Sequence, residues 1–230
     1  NKLWKSKKMH IEDMENIPLL DMSQSMNGVS LYNSIGLGIF ISEHNKNHFK
    51  NKLITFGSQP RWVNFDDKMD ICDKVNHIMT NNVNIKSDLY SVFNMFIEII
   101  KKYKLSREEL KPYTVTILSD MQVEDNIDIR NPCIYSNIKM MFNIEDIEMP
   151  QIIFWNLKFC NGFPVSTIHN YTHIIMLSGF NEKILSIFNN KRPFKKEKLG
   201  YKDDRNILLE VLHSKRYEFV NGEILKIILL

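Results

Sequence analysis

The sequence predicts an α/β fold: a doubly wound, mostly parallel six-stranded sheet flanked by helices, Rossmann-like in outline. Short apolar, β-branched runs alternate with longer segments of helical periodicity along most of the chain. That alternation is the pattern of parallel strands joined by crossover helices. Some runs, 151–157 above all, are continuously apolar rather than alternating, as strands covered on both faces must be. With 230 residues, 43% hydrophobic and 25% charged, the chain is long enough for one such domain with a full core.

Taken in order, residues 16–21 read as a buried strand. Residues 29–43 read as a helix: Leu31, Ile35, Ile39 and Ser42 fall near helical spacing, and Leu37 and Phe40 widen the apolar side. Gly36 and Gly38 lower the stability of that helix, and both are expected to let it lie close against the sheet. Residues 52–57 form a short strand ended by glycine, and 60–64 an edge strand. Asp66 and Asp67 are expected to open a helix that reaches Met79, with the acidic pair at its positive end. After the loop at 81–84, Ser87 or Asp88 starts a helix over 89–103, whose apolar face is Leu89, Val92, Phe93, Phe96, Ile97 and Ile100. A helical turn follows at 106–110. Residues 113–120 are a β-branched strand ending in Ser-Asp. A helix is expected over 131–142, with Pro132 tolerated in its first turn. Residues 151–157 and 172–178 are the last two strands, and Gly179 turns the chain into a helix at 182–188. A basic irregular insert occupies 191–204, a final helix 205–219, and an apolar tail 224–230. The expected organisation is a single domain over 1–230 with its core at 14–190. Because the chain starts with Asn1 rather than Met, it is expected to be an excised fragment of something longer.

Several function classes are set aside by composition. A formal net charge of +3 is too small to argue for nucleic acid on its own. Cys72, Cys133 and Cys160 are odd in number and far apart, so neither a disulfide framework nor a zinc site is indicated. A reducing, cytoplasmic location is the simpler expectation. No segment approaches the roughly 18 apolar residues that a membrane span requires, and the basic N-terminus lacks the apolar run of a signal peptide. No membrane partner is expected. Gly28, Gly36 and Gly38 do not form a dinucleotide-binding turn.

The chemistry gathers at Asp21-Met22-Ser23-Gln24-Ser25. The order strand, Asp-x-Ser-x-Ser, helix puts a carboxylate and two hydroxyls on a loop at the carboxyl end of a strand, where open α/β sheets bind ligands. Such hard oxygens suit Mg²⁺, Mn²⁺ or Ca²⁺ rather than zinc. The bland alternative is a serine that caps the following helix. A second loop carries Asn84, Ser87 and Asp88, and a third carries Asp120. In a parallel sheet all three share one rim.

On these residues the chain resembles a von Willebrand factor A-type domain. That family carries Asp-x-Ser-x-Ser after its first strand, a threonine on a second loop and an aspartate after its fourth strand, which together form a metal-ion-dependent adhesion site. Asp21, Ser23 and Ser25 match the first loop, and Asp120, in Ile117-Leu118-Ser119-Asp120, matches the last. No threonine stands in the expected place on the second loop. Ser87 fits best and keeps the hydroxyl, whereas Thr80 fits less well. The runs 152–157, Pro164-Val165 and 177–180 are similar to a cytosolic branch of the family akin to the A-type domain of the Ro ribonucleoprotein autoantigen; in that branch the A-type domain lies at the C-terminus, which implies that this chain is the C-terminal part of a longer protein.

The resemblance implies a non-enzymatic, metal-dependent binding module whose ion, Mg²⁺ first and Mn²⁺ or Ca²⁺ next, is held by Asp21, Ser23, Ser25, Ser87 and Asp120. Its open coordination position would take a carboxylate from a protein partner. The alternative is an RNA-associated scaffold with a vestigial metal site. It would use Lys191, Arg192, Lys195, Lys196 and Lys198, with Phe194 and Tyr201 between them. A third reading, an aspartate-based Mg²⁺ phosphotransferase, needs a second Asp two residues on, where this chain has Ser23. The pairs His44/His48 and His169/His173 read as polar loop residues rather than metal ligands. Glu124, Asp125 and Asp128 read as a solvated acidic loop.

Overall fold

A computed structural model describes residues 15–57, 59–80, 89–110, 113–122, 134–158 and 174–179. The chain divides into two compact units, 1–191 and 192–230, and every described residue belongs to the first.

Among the described residues, six strands form one sheet: β1 (Asn16–Asp21), β2 (Lys52–Phe56), β3 (Arg61–Asn64), β4 (Thr114–Ser119), β5 (Gln151–Asn156) and β6 (Ile174–Ser178). Their spatial order is β3-β2-β1-β4-β5-β6. Only β3 runs antiparallel, paired with β2 through the tight connection that such a pair permits. All other pairings are parallel. This is the mostly parallel six-stranded sheet expected. The described helices are α1 (Val29–His44), α2 (Ile71–Met79), α3 (Leu89–Tyr103), α4 (Arg107–Leu110) and α5 (Ile134–Ile144).

Alternation along each strand sends its side chains to two separate cores. Ile17 and Leu19 of β1, Val115 and Ile117 of β4, and Ile152 and Phe154 of β5 join Val92, Phe93 and Phe96 of α3 and Ile138 and Phe142 of α5. Leu20, Leu118 and Trp155 face the other way and join Leu31, Ile35 and Ile39 of α1 and Ile78 of α2. Both faces of the central strands are therefore dry, which explains why their sequences are continuously apolar. Deep inside, the Asn16 amide donates to the hydroxyls of Thr114 and Thr116, each at 2.7 Å, and locks the register of β1 on β4.

Two sequence expectations change. The helix expected to open at Asp66 and Asp67 begins at Ile71, because Asp70 is its cap: its carboxylate accepts from the amides of Cys72 and Asp73, and Asp73 reaches back to the amide of Asp70. This reciprocal capping box outcompetes the earlier acidic pair, and Asp66 instead turns the chain by accepting from the amide of Lys68. The two glycines of α1 also differ. A Cβ at Gly38 would lie 2.5 Å from Leu20 Cδ1, whereas one at Gly36 would meet nothing within 4 Å. Only Gly38 serves close packing. The helices expected at 182–188 and 205–219 and the insert at 191–204 lie outside the described residues.

Candidate functional site

β1 is flanked by β2 on one side and β4 on the other. The chain leaves β1 toward one edge of the sheet and later returns to its opposite side. At such a reversal the loops at the carboxyl ends of the strands part and leave a crevice, the usual ligand site of an open α/β sheet. Asp21 ends β1 and Asp120 follows β4, so both carboxylates belong to this switch point.

Asp21 is completely buried. Its Oδ1 accepts the backbone amide of Ser23 at 2.9 Å, a local turn typical of aspartate. Its Oδ2 accepts the hydroxyl of Ser119, from the end of β4, at 2.6 Å. The Ser119 oxygen accepts in turn from the amide of Met121 at 3.0 Å. One carboxylate thus ties two loops together through hydrogen bonds strengthened by its charge.

The turn at Asp21 brings Ser23 Oγ and Ser25 Oγ within 2.9 Å of each other. These hydroxyls do not cap the following helix. The N-cap of α1 is Gly28, at φ +96, and no side chain bonds to the cap there. The bland capping explanation of the motif is therefore not what the fold uses.

Asp120 is also completely buried. Its Oδ1 accepts the amide of Gln122 at 3.1 Å. Between them Met121 sits at φ +63, a left-handed conformation that costs a side-chain-bearing residue about 1–3 kcal/mol and is found where surrounding contacts impose it. Here the bond from its amide to Ser119 does so.

A residue that sequence reasoning passed over completes the arrangement. The Lys158 ammonium lies 3.7 Å from Asp120 Oδ2 and donates to the carbonyl of Ser25 at 2.8 Å. Lys158 stands two residues past β5, and its backbone is fixed there: its amide donates to Asn156 Oδ1 at 2.9 Å. The neighbouring Leu157 amide donates to the Ser119 carbonyl, and Ser30, in the first turn of α1, donates its hydroxyl to the Leu157 carbonyl at 2.8 Å. The ends of β1, β4 and β5 and the start of α1 form one connected polar network. Ser119 was the other residue missed. The available signal for both was position alone, since the last residue of a parallel strand and the residues just after it share the rim.

Of the five candidate ligands, Asp21, Ser23, Ser25 and Asp120 take part in this network. Ser87 lies outside the described residues, as do Asn84 and Asp88. Thr80, the weaker substitute, bonds back onto α2 through Asn76 at 2.9 Å. His44, expected in a loop, instead ends α1 with its ring against the carbonyl of Phe40 at 2.8 Å, and His48 stacks on Tyr103. Residues 124, 125, 128, 169 and 173 lie outside the described residues.

The donor set is oxygen alone: two carboxylates, two hydroxyls and a backbone carbonyl. Among the described residues no three His, Cys, Asp or Glu side chains gather as a metal site. A cation here would depend on hydroxyls and retained water, which suits Mg²⁺, Mn²⁺ or Ca²⁺. Among the described residues no helix is long and apolar enough to cross a membrane.

Among solved structures the chain is similar to proximal thread matrix protein 1 from the mussel byssus, at 13% identity and TM-score 0.45 over 78% of this chain and 46% of that one. It is similar also to the SpRpn10 VWA domain, at 12% identity and TM-score 0.44 over 78% of this chain and 96% of that one. A form of the mussel protein with a zinc-occupied MIDAS motif matches at 14% identity and TM-score 0.44, over 78% and 46% of the two chains. The chain spans about half the length of the mussel protein. A search of curated proteins finds no match. The model of one family, described as Domain of unknown function (DUF7788), matches residues 15–221. The chain belongs to that family.

Proposed function

We propose that the rim at the carboxyl ends of β1 and β4 is a divalent-cation-dependent binding site that recognises an acidic group on a protein partner. The observation that carries this reading is the pairing of two serine hydroxyls 2.9 Å apart with two buried carboxylates at the switch point of the sheet. The cation would be held by Ser23 and Ser25, with Asp21 and Asp120 supplying charge directly or through water, and with Ser87 as the candidate donor from the second loop. Mg²⁺ is the first choice of ion. Its remaining coordination position, facing solvent, attracts a carboxylate oxygen strongly.

Binding rather than catalysis is favoured by how Asp21 is engaged. Both of its oxygens accept internal hydrogen bonds, so it is not presented as a nucleophile for phosphoryl transfer. A protein partner is favoured by the start of α1, where Val29 and Tyr32 are 70% and 64% exposed directly after the serine loop. Tyrosine is enriched at protein interfaces, and apolar surface fills their buried centres.

The test compares capture of a glutamate-rich peptide by the wild-type chain and by Ser25→Ala, in Mg²⁺ and in EDTA. Capture that needs Mg²⁺ and is lost in Ser25→Ala supports the reading. Capture of RNA that survives EDTA, falls steeply with salt and depends on Lys195 and Lys196 would replace it with the scaffold alternative.

A further inference from the structure

We infer that Lys158 is a tethered cation of this rim, which holds the first and third loops together when no divalent ion is bound and must withdraw when one enters. The inference rests on the metal-binding reading above and adds its regulation.

Three observations lead to it. The ammonium reaches both loops that would hold the ion, touching the Ser25 carbonyl at 2.8 Å and standing 3.7 Å from Asp120 Oδ2. It is positioned from a third strand end, β5, whose backbone is fixed by Asn156 and by the Leu157–Ser119 bond. The carboxylate is fully buried while the lysine side chain keeps 42% of its surface in solvent. The carboxylate is therefore fixed and the ammonium has somewhere to go. Lysine suits this role because its charge is a compact point on a flexible stem, whereas a guanidinium would be held by a rigid fork.

The electrostatics set the direction. A divalent ion coordinated by Ser25 and drawn by Asp120 would share a few ångströms with a like charge, and like charges at that distance oppose each other strongly outside bulk water. Entry of the ion therefore competes with the lysine. Withdrawal of the lysine also releases the Ser25 carbonyl and loosens β5's link to the first loop. Occupancy of the rim would thus be felt where the chain leaves β5.

The experiment titrates Mn²⁺ into the 230-residue chain by calorimetry, for the wild type, Lys158→Met, Lys158→Gln and Lys158→Arg. Removal of the charge in Lys158→Met and Lys158→Gln is expected to tighten Mn²⁺ binding about tenfold, a difference of about 1.4 kcal/mol. Lys158→Arg, which keeps the charge on a more rigidly held group, binds Mn²⁺ no more tightly than the wild type. Without metal, Lys158→Met also melts at a lower temperature than the wild type, and saturating Mn²⁺ closes that gap. Equal Mn²⁺ affinity in all four chains, or weaker binding in Lys158→Met, overturns the inference and leaves the metal site standing. Absence of Mn²⁺ uptake in every variant removes the metal site, and the inference with it.

Discussion

Replacing the two glycines of α1 by alanine separates packing from helix propensity with a single methyl group. At Gly38 the new methyl would lie 2.5, 2.9 and 3.0 Å from Cδ1, Cδ2 and Cγ of Leu20. Carbon atoms prefer separations of about 3.5–4.0 Å, so Leu20 must move by roughly 1 Å. It has little room, being completely buried in one core with Ile35, Ile39, Leu118 and Trp155. Overpacking of this kind costs about 1–3 kcal/mol. Against it stands the gain of about 1 kcal/mol from alanine over glycine in a helix interior. Gly38→Ala is therefore neutral at best and destabilising by up to about 2 kcal/mol. At Gly36 no atom lies within 4 Å of the new methyl, and Gly36→Ala should stabilise by about 0.5–1 kcal/mol. The backbone contribution is shared, so the difference between the variants isolates the clash. Urea unfolding followed by circular dichroism measures both. In a Leu20→Ala background the clash is gone, and Gly38→Ala should then stabilise as Gly36→Ala does. Equal stabilisation by the two single variants would refute the claim that Gly38 is there to admit Leu20.

Ser119→Ala removes the hydroxyl that donates to Asp21 and accepts from Met121. Both bonds are buried and one is charge-assisted, so the loss should be about 2–4 kcal/mol, read as a lower urea midpoint with unchanged slope; a loss below about 0.5 kcal/mol would show that the network tolerates its absence. Glu109 gives an acid-limb signature. The Ser106 hydroxyl and then its amide bond to the Glu109 carboxylate and hold it below the usual carboxylate range. A lowered folded value means stability that is present above the unfolded value, about 4.3, and is lost as pH falls through the folded one. Glu109→Gln keeps the shape and removes the charge, so its urea midpoint should fall below the wild type near neutral pH and converge with it in acid; a gap that persists in acid would mean that packing, not charge, sets the effect.

The fold was legible because the strands are buried on both faces. Runs such as Ile152-Ile153-Phe154-Trp155 leave a sequence no surface to serve, and the bounds 89–103 expected for α3 match the helix observed. Boundaries set by polar side chains were harder to place. Asp66, Asp67, Asp70 and Asp73 all favour helix starts, and only the reciprocal bonds of Asp70 and Asp73 choose among them. The role of Gly38 against Gly36 depends on which side of α1 meets Leu20, two residues apart on a helix whose apolar character is spread around it. At the rim, the spacing of Asp21, Ser23 and Ser25 is local, and Asp120 follows a recognisable strand, so the sequence could place all four at the carboxyl ends of β1 and β4. Lys158 was not legible, since nothing in a lysine after a strand says what its ammonium will reach 133 residues away in sequence.

The network also decides which side chains can report on a metal. Asp21 gives Oδ1 to Ser23 and Oδ2 to Ser119, so removing it disturbs the turn, β4 and the charge together. A loss of binding in Asp21→Ala would not separate a missing ligand from a collapsed loop. Ser25 is different: its hydroxyl meets the Ser23 hydroxyl, and its link to Lys158 runs through the backbone carbonyl, which alanine retains. Ser25→Ala thus removes a donor and leaves the lysine tether in place. The charges fix the order of events. Among the described residues, Asp21 and Asp120 bring two carboxylates to the rim and Lys158 one ammonium, a balance that without an ion would disfavour an acidic group. A divalent ion at the proposed site would reverse that balance while the lysine remained near, and would offset the two carboxylates once the lysine had withdrawn. On the proposed reading the carboxylate of a partner would be admitted only after the ion, and partner and ion would strengthen each other's binding by the same factor.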